Sequence, residues 1–196
     1  MKQLFFLSLF LLSIANFEKQ NVNLLYPNTQ KSVENYTARA FVSRMLDGLG
    51  FRYYWATEGL SAKDLSYQLS QDSRTTEESL DHILDLSQTI VNSVLGIPSG
   101  TPQPKMSFEE KRNKTFKNME QANQIFGTAE DLSKFTIVLK RGDKTYEFPF
   151  WNQLNDPISD ALWHVGAGCF VQTIVWKSIC KRSKCFYRNK ELKSYD

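Results

Sequence analysis

The sequence lacks the features that mark several common classes of protein. Its 24 basic and 21 acidic side chains leave a formal charge of only +3, so no nucleic-acid-binding surface is expected. It has no glycine-rich phosphate loop, no G-x-S-x-G nucleophile motif and no Cys-x-x-Cys metal pair. Repeats and low-complexity tracts are also absent. What remains is typical of one globular domain, because 196 residues, 41% of them hydrophobic, suffice for a single core.

Long apolar runs are scarce too, and the one long run lies at the N-terminus. It follows Lys2, covers residues 4–14, and ends in small residues at the spacing that signal peptidase requires. A run this short does not span a bilayer as a helix, which takes about 20 residues. We expect residues 1–15 to be a cleaved signal peptide and residues 16–33 a polar leader. The mature protein is then exported, periplasmic or secreted, with no membrane span; a buried N-terminal helix or an uncleaved anchor is the alternative.

The first helix of the domain is predicted from Glu34 to Glu58. Apolar residues recur there at three- or four-residue steps and form one face, consisting of Phe41, Met45, Leu49, Tyr53 and Ala56. Gly48 and Gly50 lie within this helix and weaken it by about 1 kcal/mol each relative to alanine. We interpret the two glycines as a place where another helix approaches closely.

Two capping boxes predict where the second and third helices begin. Thr75 is followed three residues later by Glu78, and the apolar pattern that starts there stops at Gly96. Ser107 begins the third helix by the same motif, and Gly127 ends it. The stretch between the first and second helices is predicted to be an irregular or short helical link.

A short hairpin and a fourth helix complete the domain. Residues 136–139 and 146–148 flank a Gly-Asp turn, which accounts for an Arg-Gly-Asp triplet without any adhesion partner. The fourth helix is predicted to begin at Asp156, with Pro157 in its first turn, and to run through Val165. The predicted fold class is therefore all-α, an antiparallel four-helix bundle over residues 34–166 with a short β-hairpin insertion before the last helix.

The two histidines of the chain, His82 and His164, both lie on predicted helices. Asp160 precedes His164 by four residues, so these two side chains share a helix face, and the helix of His82 can face them across the bundle. Two imidazoles and one carboxylate are the ligands of a catalytic divalent metal with an open position. The alternative is that the histidines are hydrogen-bonded core residues and that the aspartate complements a helix dipole.

Three stretches resemble the DinB-like superfamily of helical-bundle metalloenzymes, in an exported branch. Residues 46–60 (LDGLGFRYYWATEGL) are similar to its first helix, and residues 78–83 (ESLDHI) to its histidine-bearing second helix. Residues 160–166 (DALWHVG) resemble its last-helix motif, in which a His or Asp precedes a His by four. The resemblance covers about residues 35–166.

This resemblance implies that His82, Asp160 and His164 are metal ligands in a DinB-like four-helix bundle. It further implies zinc or nickel as the divalent ion, a homodimer as in many members, and a small molecule or a thiol as the partner. The activity implied is that of a metal-dependent thiol transferase or a hydrolase of unknown substrate. The alternative from the residues alone is a non-catalytic binding or structural bundle with core histidines.

The resemblance stops at Gly166, where a basic tail begins that carries all three cysteines, Cys169, Cys180 and Cys185. The codons that residues 167–196 permit, read from the second base of the Ala167 codon, include a string that resembles the family's usual ending. We interpret residues 167–196 as translated out of frame. The three cysteines then carry no functional meaning, whereas in a divergent tail Cys180 and Cys185 are candidates for a disulfide.

Overall fold

The computed structural model describes residues 26–27 and 35–175, with side chains as far as residue 167. The described part is mostly helical, and a short antiparallel hairpin precedes the last helix, as predicted. Among the described residues no helix has both the length and the apolar character of a membrane span. The predicted signal peptide, most of the predicted leader, Cys180 and Cys185 lie outside the described residues. The elements, in chain order, are α1 (Ala38–Thr57), α2 (Ala62–Leu65), α3 (Thr76–Leu95), α4 (Phe108–Thr128), a 3₁₀ turn (Leu132–Lys134), β1 (Ile137–Arg141), β2 (Lys144–Phe148), α5 (Trp151–Asn155) and α6 (Pro157–Val175).

The predicted helix boundaries are confirmed most closely where the sequence carries a cap. The Thr75 hydroxyl accepts from the Glu78 amide, and the Glu78 carboxylate accepts from the Thr75 amide at 2.7 Å, so α3 begins at a full capping box. Ser107 begins α4 in the same way. At the other end of α3, Gly96 adopts φ 66°, a left-handed conformation that terminates the helix at little cost for glycine.

The start of α6 illustrates what proline does to a helix. The backbone breaks at Asp156, and Pro157 then begins α6, so the predicted start of the last helix is confirmed. The preceding residues form the separate short helix α5. The backbone of α6 continues past Gly166, where we placed the end of the bundle, as far as Val175.

Four long helices pack side by side, α1 and α3 each lying against both α4 and α6. Helices α1 and α4 run in opposite directions. The Asn123 amide near the end of α4 donates to Asp47 at 2.6 Å, and Arg112 near the start of α4 donates to Thr57 at the end of α1 at 2.8 Å. This pair has the antiparallel arrangement that we expected.

Helices α3 and α4, however, run in the same direction, which differs from the expected antiparallel arrangement. Lys111 in the first turn of α4 pairs with Glu77 in the first turn of α3 at 3.1 Å, and farther along Asn118 donates to Ser87 at 3.1 Å. The connection 96–107 makes this possible, because it can reach roughly 40 Å when extended, whereas a 20-residue helix is about 30 Å long. The chain therefore returns to the starting end before α4 begins.

The buried face of α1 is shifted from the predicted one at its N-terminal end. Phe41 was predicted to be in the core, but 61% of its surface is exposed, and that prediction is wrong. Val42 and Leu46 are buried instead, and from Leu49 onward the predicted and observed faces coincide. The cause is that both sets of residues repeat at helical spacing, so periodicity alone does not choose between them.

The close contact at the α1 glycines is made by an aromatic ring and not by a second helix. Tyr26, from the predicted leader, is 4% exposed and stacks on Phe116 with ring centroids 5.5 Å apart. Its ring lies directly on Gly50, so that a Cβ there would overlap it, while a Cβ on Gly48 would meet only the flexible end of Arg52. Our interpretation of Gly48 and Gly50 as a helix-contact site is therefore corrected, and residue 26 belongs to the core.

Asp47 is a buried carboxyl group within this core. It is 6% exposed, and it accepts a hydrogen bond from Asn123, whose own buried Oδ1 has no partner among the described residues. Burial raises the pKa of Asp47 from 3.8 to about 6, against the opposing effects of Asn123 and the nearby Arg44. The folded protein therefore binds this proton more tightly than the unfolded chain does.

We expect Asp47→Asn to stabilise the protein by about 1–2 kcal/mol at neutral pH, because the variant buries no charge and its amide can donate to Asn123. In the unmodified protein the contribution of Asp47 to stability should be most favourable below about pH 4, fall as the pH rises toward about 6, and stay low above that. Urea unfolding at both ends of this range would measure it. Asp143→Asn, at the exposed hairpin turn, is the control; a gain that is equal at the two pH values would contradict the prediction.

Candidate metal centre

The three candidate ligands come together at the contact between α3 and α6. His82 projects from the second turn of α3, and Asp160 and His164 project from the first turns of α6. The Nε2 atom of His82 lies 2.9 Å from one carboxylate oxygen of Asp160, and the Nε2 atom of His164 lies 3.5 Å from the other. One donor atom of each residue lies within 4.8 Å of the donor atoms of the other two.

The antiparallel packing of α3 and α6 brings these residues together. At the far end of the contact, Gln153 just before α6 donates to Ser93 near the end of α3 at 2.5 Å. Nearer the start of α3, His82 contacts Asp160, which lies farther along the chain than Gln153. The two contacts together show that α3 and α6 run in opposite directions. The i, i+4 spacing then places His164 one turn farther along the same face.

The donor set and its spacing fit a divalent metal ion. Ligand atoms about 2.0–2.2 Å from a tetrahedral zinc ion are separated from one another by roughly 3.3 Å. The Nε2 atoms of His82 and His164 lie 2.9 and 3.5 Å from different oxygens of Asp160, and one donor atom of each residue lies within 4.8 Å of the other two. Three protein ligands leave one position open for water or substrate, as in catalytic zinc sites. Imidazole and carboxylate groups also suit nickel.

The surroundings favour the neutral form of His164, which is the form that binds metals. Burial lowers the pKa of His164, and the neighbouring His82 and Arg74 lower it further, against the opposing charge of Asp160. The rings of the two histidines meet edge to face, with centroids 4.7 Å apart.

Two cavities meet at this cluster from different sides. His164 lines a mostly apolar cavity of about 420 Å³, which lies beneath the link that contains α2. His82 and Asp160 instead line a wide groove of about 1200 Å³ between α3, β1 and the 97–106 connection. The cluster is therefore accessible both from an apolar compartment and from a more polar one.

Arg74 also lies at this centre, although its sequence position did not predict it. Its Nη1 atom lies 3.5 Å from the Nε2 atom of His164, at the edge of the apolar cavity. The position immediately before the Thr75 cap was the available signal, because that cap places residue 74 beside the start of α3. This signal was not sufficient, because nothing in the sequence pattern shows that α6 packs beside residue 74.

Comparisons with models of protein families, with curated proteins and with solved structures found no match. The DinB-like resemblance therefore depends on the sequence of residues 46–60, 78–83 and 160–166 alone.

Proposed function

We propose that the protein is an exported DinB-like four-helix bundle that binds one divalent metal ion, zinc or nickel, through His82, Asp160 and His164. The observation that carries this proposal is the convergence of three donor groups from two helices, with one donor atom of each within 4.8 Å of the other two. The proposed bundle is supported by the mutual packing of α1, α3, α4 and α6. Export and a homodimer are proposed with it, from the apolar N-terminal run and the resemblance.

For the activity we propose a metal-dependent transferase that acts on a small molecule and a thiol. The two cavities support this, since a transferase must hold two substrates, whereas a hydrolase, the other candidate, needs water as its second reactant. A divalent ion at this place supplies a Lewis acid and lowers the pKa of a thiol or of water. The protein's own contribution is to hold the donor groups in position and to shield one side with an apolar wall.

The competing candidate is a non-catalytic binding or structural bundle, and one contact favours it. In the absence of a metal, the Nε2–H group of His82 can donate directly to Asp160 at 2.9 Å, so that the polar groups satisfy each other. In that case the histidines would serve only to join α3 and α6.

Metal analysis of the mature protein separates these two candidates. We expect about one divalent ion per chain after gentle purification or after addition of zinc or nickel, and almost none in His82→Ala. The protein should be free of a histidine tag, because His82 and His164 are then the only imidazoles present. Gln88→Ala, also on α3, is a suitable control and should retain the metal.

A metal-free protein that takes up no zinc, nickel or manganese would contradict the proposal and favour the structural bundle. If the metal is present, assays of thiol transfer and of ester or amide hydrolysis on the loaded protein distinguish the transferase from the hydrolase. His82→Ala should lose either activity together with the ion.

A further inference from the structure

The apolar cavity beside His164 has the form of a ligand pocket. Its wall consists mainly of aliphatic and aromatic side chains, among them Leu60, Leu80, Ile83, Trp163 and Val165. Its volume of about 420 Å³ is within the range of small-molecule sites. Trp163 is 67% exposed although it borders this pocket, so a large apolar surface is available at the opening.

Arg74 places a positive charge at the edge of this apolar space. No carboxylate of the described residues lies within ion-pairing distance of its guanidinium, whose recorded contact is with His164 at 3.5 Å. The two acidic residues of the wall are engaged elsewhere: Glu58 pairs with Arg112 at 2.6 Å, and Asp64 caps α2. The cavity thus combines an apolar interior with one cation that forms no ion pair with the described residues.

We propose that this cavity binds a small amphipathic anion, with its apolar body against the wall and its acidic group on Arg74. A guanidinium group binds a carboxylate through two parallel hydrogen bonds, and such charge-assisted bonds are among the strongest in proteins. The inference deepens the proposed function, since the acidic group would lie beside His164 and the other donor groups. Binding to Arg74 does not itself require the metal.

Calorimetric titration of the metal-free mature protein with octanoate tests the proposal. Octanoate should bind, and octylamine, which has the same chain length but a positive charge, should bind at least about tenfold more weakly. Acetate should also bind more weakly, because it lacks the apolar body. Arg74→Gln should weaken octanoate binding by about 10- to 100-fold, which corresponds to the loss of one charged hydrogen-bond pair, and Arg74→Lys should recover part of that loss.

Arg39→Gln is the matched control, because it removes the same charge from an exposed position at the opposite end of α1 from the cavity. It should leave octanoate affinity unchanged, and circular dichroism should show both glutamine variants folded. The proposal would be overturned by a failure of octanoate to bind, by equal affinity for octanoate and octylamine, or by unchanged affinity in Arg74→Gln.

Metal uptake is measured separately, by adding zinc to a portion of the same metal-free preparation, and this keeps the test distinct from that of the proposed function. Selective octanoate binding by a protein that takes up no metal supports the anion pocket and contradicts only the metal centre. A protein that binds zinc but does not prefer octanoate over octylamine contradicts only the anion pocket.

Discussion

Replacing Gly50 by alanine should lower the free energy of unfolding by about 3 kcal/mol, although alanine is the better helix former. The added methyl group would overlap the ring of Tyr26, which lies directly on Gly50. The ring cannot move aside without leaving its stacked position on Phe116. The expected loss is therefore similar to that of removing a buried aromatic side chain, which costs about 3–5 kcal/mol. Urea unfolding of the two proteins would measure it.

Gly48→Ala, two residues away on the same helix, is the matched control. Its methyl group would meet only the end of the Arg52 side chain, so we expect it to stabilise the protein by up to about 1 kcal/mol through helix propensity. In a Tyr26→Ala background, Gly50→Ala should cost little or nothing, because the two changes remove the same contact. Equal effects of alanine at positions 48 and 50 would show that Tyr26 does not pack on α1.

Zinc should stabilise the protein, and Asp160→Asn should abolish that effect. At free zinc one hundred times the dissociation constant, the expected gain is about 2.7 kcal/mol. An asparagine at position 160 keeps the shape of the side chain but removes the anionic ligand that lies between His82 and His164. Since loss of even an outer-shell partner costs about 10- to 100-fold in metal affinity, loss of this ligand should cost more. Thermal unfolding with and without zinc measures both proteins.

Asp143→Asn provides the control for this experiment, because it removes a carboxylate from the exposed hairpin turn that lines neither of the two cavities at the cluster. Its zinc-dependent stabilisation should equal that of the unmodified protein. An undiminished zinc effect in Asp160→Asn would mean that zinc binds somewhere else and that the aspartate only joins the two histidines.

The local elements of the fold were predictable because their signals are local. The box formed by Thr75 and Glu78 determines where α3 begins, and Pro157 determines where α6 begins, through contacts within a few residues. The hairpin follows in the same way from the turn that Gly142 allows, with φ 60°. Each of these signals lies within its own short segment, so no knowledge of packing was needed.

The features that depend on packing could not be predicted in the same way. The choice of Val42 over Phe41 as a core residue depends on which way α1 is rotated against α4 and α6. Burial of Tyr26 depends on its contacts with Gly50 and Phe116, which are distant in sequence, and a single tyrosine within a polar stretch carries no pattern. The shared direction of α3 and α4 did have one signal, the length of the 96–107 connection, which exceeds what a tight antiparallel turn requires.

The candidate site depends partly on local sequence signals and partly on the packing of the helices. Asp160 and His164 were placed together by helical spacing alone, which is a local property. The approach of His82 depends on the antiparallel packing of α3 on α6, and the resemblance indicated it where spacing could not. Arg74 is not at helical spacing from any of the three candidate ligands, and it lies outside the three stretches that carry the resemblance. Only the three-dimensional structure shows that it lies beside His164.

The common direction of α3 and α4 also has a consequence for how the chain folds. These two helices cannot form early as a simple local hairpin, and α1 must find partners in the second half of the domain, α4 and α6. Contacts between distant parts of a chain raise the contact order, and folding slows as the contact order rises. We therefore expect slower folding than in an up-down-up-down bundle of similar length. His82 and Asp160 are 78 residues apart, so the donor cluster is complete only once α6 has docked on α3.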